Sequence, residues 1–225
     1  ESITCKLSAT ALRLGLQWAE RPLPDGREVI IDLAGTPEMG VEARISVRTE
    51  IGTTNTLFDC SCWLRWAVAE KLIAEARSID LPAGMPASVA AELKRNRKQL
   101  HPIAGLRLAK ILSDGDRWSA TVRSSADEIE MATRHLAGVI GQLKIGIREH
   151  LAYLSIPATL AKECVQVNAG SILIVAPIGI VAILVAANEI ALLREWLSVN
   201  CPSDKSSDDF RQFAGRVAAS KGIAI

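Results

Sequence analysis

The clearest pattern of polar and apolar positions lies in the middle of the chain. Residues 117–122 alternate between polar and apolar side chains, which predicts a strand with one buried face. Ser125 followed by Glu128 has the spacing of a capping box, in which each side chain accepts a hydrogen bond from a free N–H of the first helical turn. The helix predicted after this box carries apolar side chains on one face: Ile129, Ala132, Leu136, Val139, Ile140 and Leu143.

A second strand is predicted at residues 150–156. Pro157 ends it, and a helical pattern resumes over residues 158–167. Two strands joined by so long a helix are expected to lie parallel in one sheet, with a right-handed crossover. The stretch 117–170 therefore predicts a strand–helix–strand unit followed by a helix, around which the rest of the chain is organised.

The N-terminal part of the chain is also predicted to form a sheet. Alternating apolar positions indicate strands at residues 3–7, 12–18, 29–33 and 41–47. The last two strands are separated by a short loop with glycine and proline, residues 35–40, which favours a hairpin. Because a hairpin is antiparallel, we expect the N-terminal sheet to be mixed.

Helical patterns follow this sheet. Thr56 and Asp59 repeat the capping-box spacing, and residues 57–77 are predicted to form one amphipathic helix. Residues 81–86, which read Leu-Pro-Ala-Gly-Met-Pro, are the best candidate for a linker. Further helices are predicted at residues 87–100, 103–112 and 210–219.

An uncharged run at residues 165–188 admits two interpretations. Its 24 residues are enough to span a bilayer, which takes about 20. Glycines and prolines divide the run, however, and residues 171–176 alone are typical of a fully buried strand. After Pro177 the helical pattern continues past the charged Glu189. We therefore expect a buried strand and a core helix of a globular protein.

Four features recur in the same order and predict an internal repeat. Residues 45–49 and 120–124 both end a strand in Val-Arg-hydroxyl, and a capping box and a long helix follow each. Arg48 and Arg123 hold equivalent positions. The sequence thus predicts an α/β fold with two Rossmann-like sheet–helix halves, whose mixed to parallel sheets are flanked by helices. The predicted parts are residues 1–80 (first half), 81–116 (helical linker region), 117–200 (second half) and 201–225 (polar linker and short helix).

Composition narrows the class of protein. The 225 residues include 26 basic and 25 acidic side chains, so we expect no binding to nucleic acid polymers or anionic lipid through net charge. Five cysteines are too few for a disulfide framework and odd in number, which favours a reducing, cytoplasmic compartment. The chain begins with Glu1 and shows no signal-like segment, so we expect a processed chain or a piece of a longer protein.

Candidate binding residues lie where predicted strands lead into helices. In parallel α/β sheets, ligands bind beyond the carboxyl ends of strands, next to helix N-termini. An arginine accompanied by hydroxyl groups suits a phosphate. The alternative is that these residues are ordinary helix caps and solvated arginines. The predicted ligand-binding residues are Arg48, Thr49, Thr53 and Thr54 with Asn55, then Arg123, Ser124 and Ser125, and finally Ser155 and Thr159.

No pattern predicts a cofactor, a metal or a catalytic residue. The sequence lacks a glycine-rich dinucleotide motif, a P-loop, a nucleophile elbow and a carboxylate cluster. Cys60 and Cys62 have no second pair with which to complete a zinc site. On the predicted helix their sulfur atoms would point to different faces, so we interpret both as core cysteines.

The stretch 117–170, in which a strand and a long helix precede the segment from Glu149 to Ala161, resembles the C-terminal half of SAVED domains, the nucleotide-sensing modules of bacterial anti-phage effectors. The shared pattern is a histidine, an apolar strand, a proline and an aliphatic helix, carried here by His150, Pro157, Leu160 and Ala161. The resemblance implies two fused, CARF-like halves that bind a cyclic oligonucleotide between them. It also implies oligomerisation and an attached or associated effector domain.

Two other functions stay open at this point. A small α/β enzyme could use the same loops as a substrate cleft, which a nucleophile and base within hydrogen-bond reach would favour. A membrane-associated protein could be anchored through residues 165–188. The sensor interpretation predicts a small nucleotide as the ligand and a homo-oligomer as the assembly.

Overall fold

The computed structural model describes residues 3–36, 38–50, 52–77, 103–112, 119–123, 125–166, 171–200 and 208–225. These residues contain seven α-helices and seven strands, so the chain is α/β. They form two compact units, each built from two stretches of chain. The first unit contains Glu1–Leu64 and Gly105–Ala152, and the second contains Arg65–Ala104 and Tyr153–Ile225.

The first unit consists of a sheet and two helices. Its strand β5 (Ala104–Leu106) is followed by a 3-10 turn at Leu108–Lys110. Some elements run a residue or two past the limits of the unit. The elements are α1 (Ile3–Arg13), β1 (Trp18–Leu23), β2 (Gly26–Gly35), β3 (Met39–Thr49), β4 (Asn55–Trp66), β5 (Ala104–Leu106), β6 (Ser119–Arg123) and α3 (Ala126–Leu154), while α2 (Ala67–Arg77) belongs to the second unit.

The sheet of the first unit is antiparallel in each strand pair whose register is described, and β1 to β4 are neighbours in chain order. Its strands lie in the order β1-β2-β3-β4-β5, and β6 also pairs with β4. The pairs β1–β2, β2–β3 and β4–β6 are all antiparallel. The predicted β2–β3 hairpin is confirmed, with Val29 opposite Ile45 and Ile31 opposite Ala43. The predicted mixed to parallel sheets of two Rossmann-like halves are not confirmed.

The two faces of this sheet differ in character. We call the side with the buried side chains Val29, Ile31, Ala43 and Ile45 the apolar face; α1 packs beside β1 and β2 in this unit. Each of the Val and Ile side chains contributes about 1.5–3 kcal/mol of hydrophobic free energy on burial, and Ala43 contributes less. The other side is the polar face, which carries Glu28, Asp32, Glu42, Arg44, Ser46 and Arg48.

Strand β4 occupies the first ten residues, 57–66, of the region predicted as a helix. Positions 56, 58, 60, 62, 64 and 66 are buried, while the positions between them are half-buried or exposed, which is the two-residue period of a strand. The predicted capping box at Thr56 and Asp59 is therefore wrong. The helix α2 begins only at Ala67, where the Glu70 carboxylate accepts a hydrogen bond from the Trp66 backbone N–H (3.1 Å), and its described part runs to Arg77.

The predicted repeat is also wrong, because residues 55–66 after the first Val-Arg-hydroxyl pattern form a strand and not a helix. Strand β3 leads into strand β4, whereas β6 leads into helix α3. The two segments with the Val-Arg-hydroxyl pattern are therefore followed by different elements. The strand β6 also runs antiparallel to β4. The local match between residues 45–49 and 120–124 reflects two strands that end alike, with different elements after them.

Two predicted strands are helical. Residues 3–7 belong to α1, in which Thr4, Leu7, Ser8 and Ala11 share a buried face at helical spacing. Residues 150–154 belong to α3, a 29-residue helix that continues through the predicted strand. The predicted parallel strand–helix–strand unit is therefore wrong, because no second strand follows α3; the described chain passes directly to Pro157 and the next helix.

Helix α3 begins next to the predicted cap Ser125, and four of the six residues of its predicted apolar face are buried. The Glu128 backbone N–H donates to the Ser125 hydroxyl oxygen (3.4 Å), and the Arg123 backbone N–H donates to the Glu128 carboxylate (2.7 Å). The predicted face of the helix is buried at Leu136, Val139, Ile140 and Leu143. Two contacts join α3 to α1 and to the residue just after it. Lys6 of α1 forms an ion pair with Glu130 of α3, and the Lys144 side chain of α3 donates a hydrogen bond to the Leu14 carbonyl.

The second unit is helical and is built around one apolar helix, α5 (Pro177–Ala186). Residues 179–185 of α5 are all buried, and α5 contacts α2, α4, α6 and α7. The helix predicted at residues 210–219 is confirmed as α7. Besides α2, the elements of this unit are α4 (Pro157–Val165), β7 (Leu173–Ile174), α5 (Pro177–Ala186), α6 (Ile190–Asn200) and α7 (Asp208–Ala219).

The uncharged run folds as a short strand followed by a buried helix. The strand covers only Leu173–Ile174, and Ile174 is half exposed, so it is shorter and less buried than predicted. The following helical pattern is divided at Asn188, whose φ of 60° ends one helix before the next begins at Ile190. Among the described helices, none has both the length and the apolar character that crossing a membrane requires.

Several predictions concern residues near or beyond the described ranges. The linker at 81–86, the helix at 87–100 and Ser124 lie outside the described residues. The predicted boundaries after residues 80, 116 and 200 fall within or beside gaps in the description. The predicted helix at residues 103–112 is wrong, because these residues contain the strand β5 and the 3-10 turn.

Two glycine-to-alanine substitutions in the second unit are expected to change stability in opposite directions. A Cβ on Gly179 of α5 would lie 2.5 Å from the Ile103 carbonyl oxygen, so Gly179→Ala should cost about 1–3 kcal/mol through overpacking. A Cβ on Gly215 of α7 meets no atom within 4 Å, so Gly215→Ala should gain about 0.5–1 kcal/mol through helix propensity. Chemical denaturation measures both; equal effects would contradict the packing described for α5.

Candidate functional site

The structure brings several of the predicted site residues to one end of the sheet in the first unit. Arg48 and Thr49 end β3, Thr53 and Thr54 lie in the turn that joins β3 to β4, and Arg123 ends β6. Ser125 caps the following helix α3. Ser155 and Thr159 belong to the second unit, and Thr159 lies in the first turn of α4.

Strand register places Arg48 and Arg123 on the same face. The Glu50 backbone N–H donates to the Asn55 carbonyl (3.1 Å), which sets these residues opposite each other, and Asn55 is opposite Arg123. Opposite residues on neighbouring strands share a face, and so do residues two apart on one strand. Arg48, two residues before Glu50, therefore shares the polar face with Glu50, Asn55 and Arg123.

The spacing of the two arginines follows from the same register. They are separated by the single strand β4 and by two residues along the strand direction. With strands about 4.8 Å apart and about 3.4 Å per residue, their Cα atoms are about 12 Å apart. Both residues are exposed. Two long side chains at this distance can turn toward one ligand above β4.

Glu50 is the residue of this cluster that the sequence did not single out. Its carboxylate accepts hydrogen bonds from the Asn55 side-chain amide (2.8 Å) and from the Thr53 hydroxyl (3.0 Å). These bonds, first that of Asn55 and then that of Thr53, lower the pKa of Glu50 from its ordinary value. The carboxylate is therefore ionised at neutral pH and stands on the same face as the two arginines.

The turn is ordered by the same groups. The Thr53 hydroxyl also accepts a hydrogen bond from the Asn55 backbone N–H (3.1 Å), which closes the turn before β4. Gly52 has a φ of 80°, a backbone conformation that residues with a Cβ rarely adopt. Thr53 and Asn55 thus have a structural role as well as a position on the site, whereas Thr54 is simply exposed.

Carboxylates accompany both arginines. The Arg48 Nε atom lies 4.0 Å from Asp25 Oδ1, and both side chains are partly exposed. Such a pair is worth little in water, so it leaves Arg48 able to turn to a ligand. With Glu50 two residues beyond Arg48 on the same face and Glu128 at the Arg123 backbone N–H, the arginines form a site with charges of both signs. Its chemistry suits a ligand that offers hydrogen-bond donors as well as phosphates.

The polar face continues away from this end as a network of ion pairs. Arg21 and Glu28, opposite each other on β1 and β2, lie 2.6 Å apart. Glu42, only 2 % exposed, accepts from the Arg44 Nε (2.6 Å), and the Arg44 guanidinium lies 6.0 Å from the centre of the Trp63 ring. This burial of charge was missed because residues 42 and 44 occupy the polar positions of an alternating strand.

The cysteines are core residues, as predicted, but not for the predicted reason. Cys60 and Cys62 lie two apart on β4, so both point to the apolar face, and both are buried. Burial raises the pKa of the Cys60 thiol to about 12 and that of Cys62 well above its usual value. Within the described ranges, no three His, Cys, Asp or Glu side chains are grouped in a way that could hold a metal ion.

No protein-family model, curated protein or solved structure matches the chain.

Proposed function

We propose that this chain is a ligand-sensing module that binds a nucleotide second messenger, a cyclic oligonucleotide, at the end of the sheet marked by Arg48 and Arg123. The observation that carries the proposal is the placement of these two arginines on one face, about 12 Å apart across a single strand. Each guanidinium would bind one phosphate of the ligand through charge-assisted hydrogen bonds.

Glu50, oriented by Asn55, would form hydrogen bonds with the part of the ligand between the phosphates. A carboxylate accepts hydrogen bonds only, so Glu50 favours ribose hydroxyl or base N–H groups and repels a phosphate placed close to it. The side-chain amide of Asn55 is already bound to Glu50, which orients the carboxylate. Because Glu50 accepts hydrogen bonds and repels a phosphate, the site favours a nucleotide over a simple polyphosphate.

The wider role in this proposal follows from the resemblance to SAVED domains carried by His150, Pro157, Leu160 and Ala161. A cytoplasmic sensor of anti-phage defence would respond to its nucleotide by oligomerising and by switching on an attached or associated effector domain. The resemblance in sequence at these four residues supports this role, although the end of helix α3 stands where that pattern has a strand. The arginine pair supports the ligand chemistry.

The experiment is a calorimetric titration of cyclic di- and trinucleotides and of pyrophosphate against the wild type and Glu50→Gln. We expect the wild type to bind at least one cyclic nucleotide more tightly than pyrophosphate. In Glu50→Gln the affinity for pyrophosphate should rise, because a repulsive charge is lost, and the affinity for the nucleotide should fall. Failure of the wild type to bind any member of the panel, or the same change for both classes of ligand, would contradict the proposal.

A further inference from the structure

The side of helix α3 that faces away from the core carries apolar side chains. Met131 and Ile145 are 69 % and 70 % exposed. They are separated by about four helical turns, so they lie on one line along the helix. Gly138 stands halfway between them and is also exposed, and Ala152 continues the line at the same spacing. This line, which we call the α3 seam, has the seven-residue period of a contact between two helices.

Gly138 leaves a notch in the α3 seam. A Cβ at this position would meet no atom within 4 Å, and the same holds for Gly141 on the next turn. A second helix can therefore approach closely here, near the short end of the usual distance of about 8–10 Å between helix axes. If two α3 helices lie antiparallel, Ile145 of each copy can face the notch at Gly138 of the other. The same alignment places Met131 opposite the small Ala152.

The charges along the α3 seam select this alignment. In it Arg134 of each copy faces Glu149 of the other, so two pairs of opposite charge form by symmetry. An antiparallel pair centred on Gly138 would instead place Asp127 opposite Glu149. A parallel pair would place each charged residue opposite its own copy. Of these three arrangements, only the first joins opposite charges and avoids repulsion between like charges.

Both charged groups are accessible to a second copy. The Arg134 side chain is 78 % exposed, and its Nε atom donates to the Glu130 carboxylate (3.2 Å). This bond uses one of the five N–H groups of the guanidinium, so the two Nη atoms can donate to a second carboxylate. Glu149 is exposed and forms no ion pair with another described residue.

We propose that this chain forms a symmetric dimer through an antiparallel pair of α3 helices. Ile145 of each copy fills the notch at Gly138 of the other, and Arg134 of each pairs with Glu149 of the other. The two copies use the same surface, as in other twofold dimers. The inference stands on α3 alone and needs no nucleotide, so its failure and that of the function proposed above are distinguishable.

The test is analytical ultracentrifugation of the full chain without ligand at about 1 to 100 µM, a range suited to a small interface. We expect the mean mass to rise with concentration from that of one chain toward that of two. Gly138→Leu should abolish this association by filling the notch, at a position where a Cβ meets no atom of its own chain. Gly215→Leu, the same change at an open glycine of α7, is the matched control and should leave association unchanged. A monomer at every concentration, or a dimer that survives Gly138→Leu, would overturn the proposal.

Reversal of charge tests the alignment of the two helices. Arg134→Glu and Glu149→Arg each place like charges opposite each other twice, so each should raise the dissociation constant of the dimer roughly tenfold or more. A mixture of the two variants should associate again, because one then carries only acidic and the other only basic groups at these two positions. A mixture that associates no better than either variant alone would overturn the proposed pairing.

Discussion

Replacing Arg123 by alanine is expected to weaken binding of a cyclic dinucleotide by about 1.5–3 kcal/mol, a rise in Kd of roughly 10- to 150-fold. The reason is the loss of a charge-assisted hydrogen bond to one phosphate. Arg48→Ala should have an effect of the same size, because the register places both residues on the polar face at one end of the sheet. Calorimetric titration of the wild type and each variant measures the change.

Arg27→Ala is the matched control for both substitutions. Arg27 lies at the same end of the sheet, next to the residue opposite Arg48, but on the other face, where it pairs with Glu20 (3.1 Å). Its replacement should leave nucleotide binding unchanged. An equal loss in Arg27→Ala would show that net charge alone governs binding. A loss of melting temperature in step with affinity would instead mean that Arg48 and Arg123 are structural.

Replacing Phe58 by alanine is expected to lower the free energy of unfolding by about 3–5 kcal/mol. Phe58 is 2 % exposed and is among the largest fully buried side chains of the apolar face. Its neighbour Leu57 lies on the polar face and is only half-buried, so Leu57→Ala should cost much less. Denaturant unfolding of the two variants measures the difference.

This pair of variants tests the strand register on which the candidate site depends. In a helix from residue 57, Leu57 would belong to the buried face and Phe58 would not. A larger loss for Leu57→Ala than for Phe58→Ala would therefore favour that helix. It would also remove the register that brings Asn55 opposite Arg123.

Elements with one uninterrupted period could be predicted from the sequence. The β2–β3 hairpin alternates along both strands, and the capping box at Ser125 precedes four buried positions at helical spacing. Residues 57–66 fit both periods, because Cys60 and Leu64 are four apart yet also stand in the alternating series of β4. Tertiary pairing with β6 decides such a case, and this pairing joins residues 60 to 68 positions apart.

The short segments misread as strands have a similar explanation. Three alternating residues, such as Ile3, Cys5 and Leu7, are too few to distinguish a strand from one turn of a helix. In α1 the buried residues are Thr4, Leu7, Ser8, Thr10 and Ala11, and three of the five are polar. Hydrophobicity alone therefore could not reveal the buried face of this helix.

The candidate site could be predicted in its residues but not in its geometry. The sequence indicated Arg48 and Arg123 as a pair because each ends a strand before hydroxyl residues. It assigned them to two repeated halves, whereas the structure places them on one antiparallel sheet. Glu50 was missed because its significance depends on Thr53 and Asn55, which the turn folds back onto its carboxylate.

The most direct test of the account is to follow backbone amide resonances by NMR while a cyclic dinucleotide that binds is added. We predict that the amides of residues 48–50, 55 and 123 shift together and follow one binding isotherm, because one ligand contacts both arginines across β4. Shifts that leave residue 123 unchanged while 48–50 move, or that follow two different isotherms, would contradict a shared site.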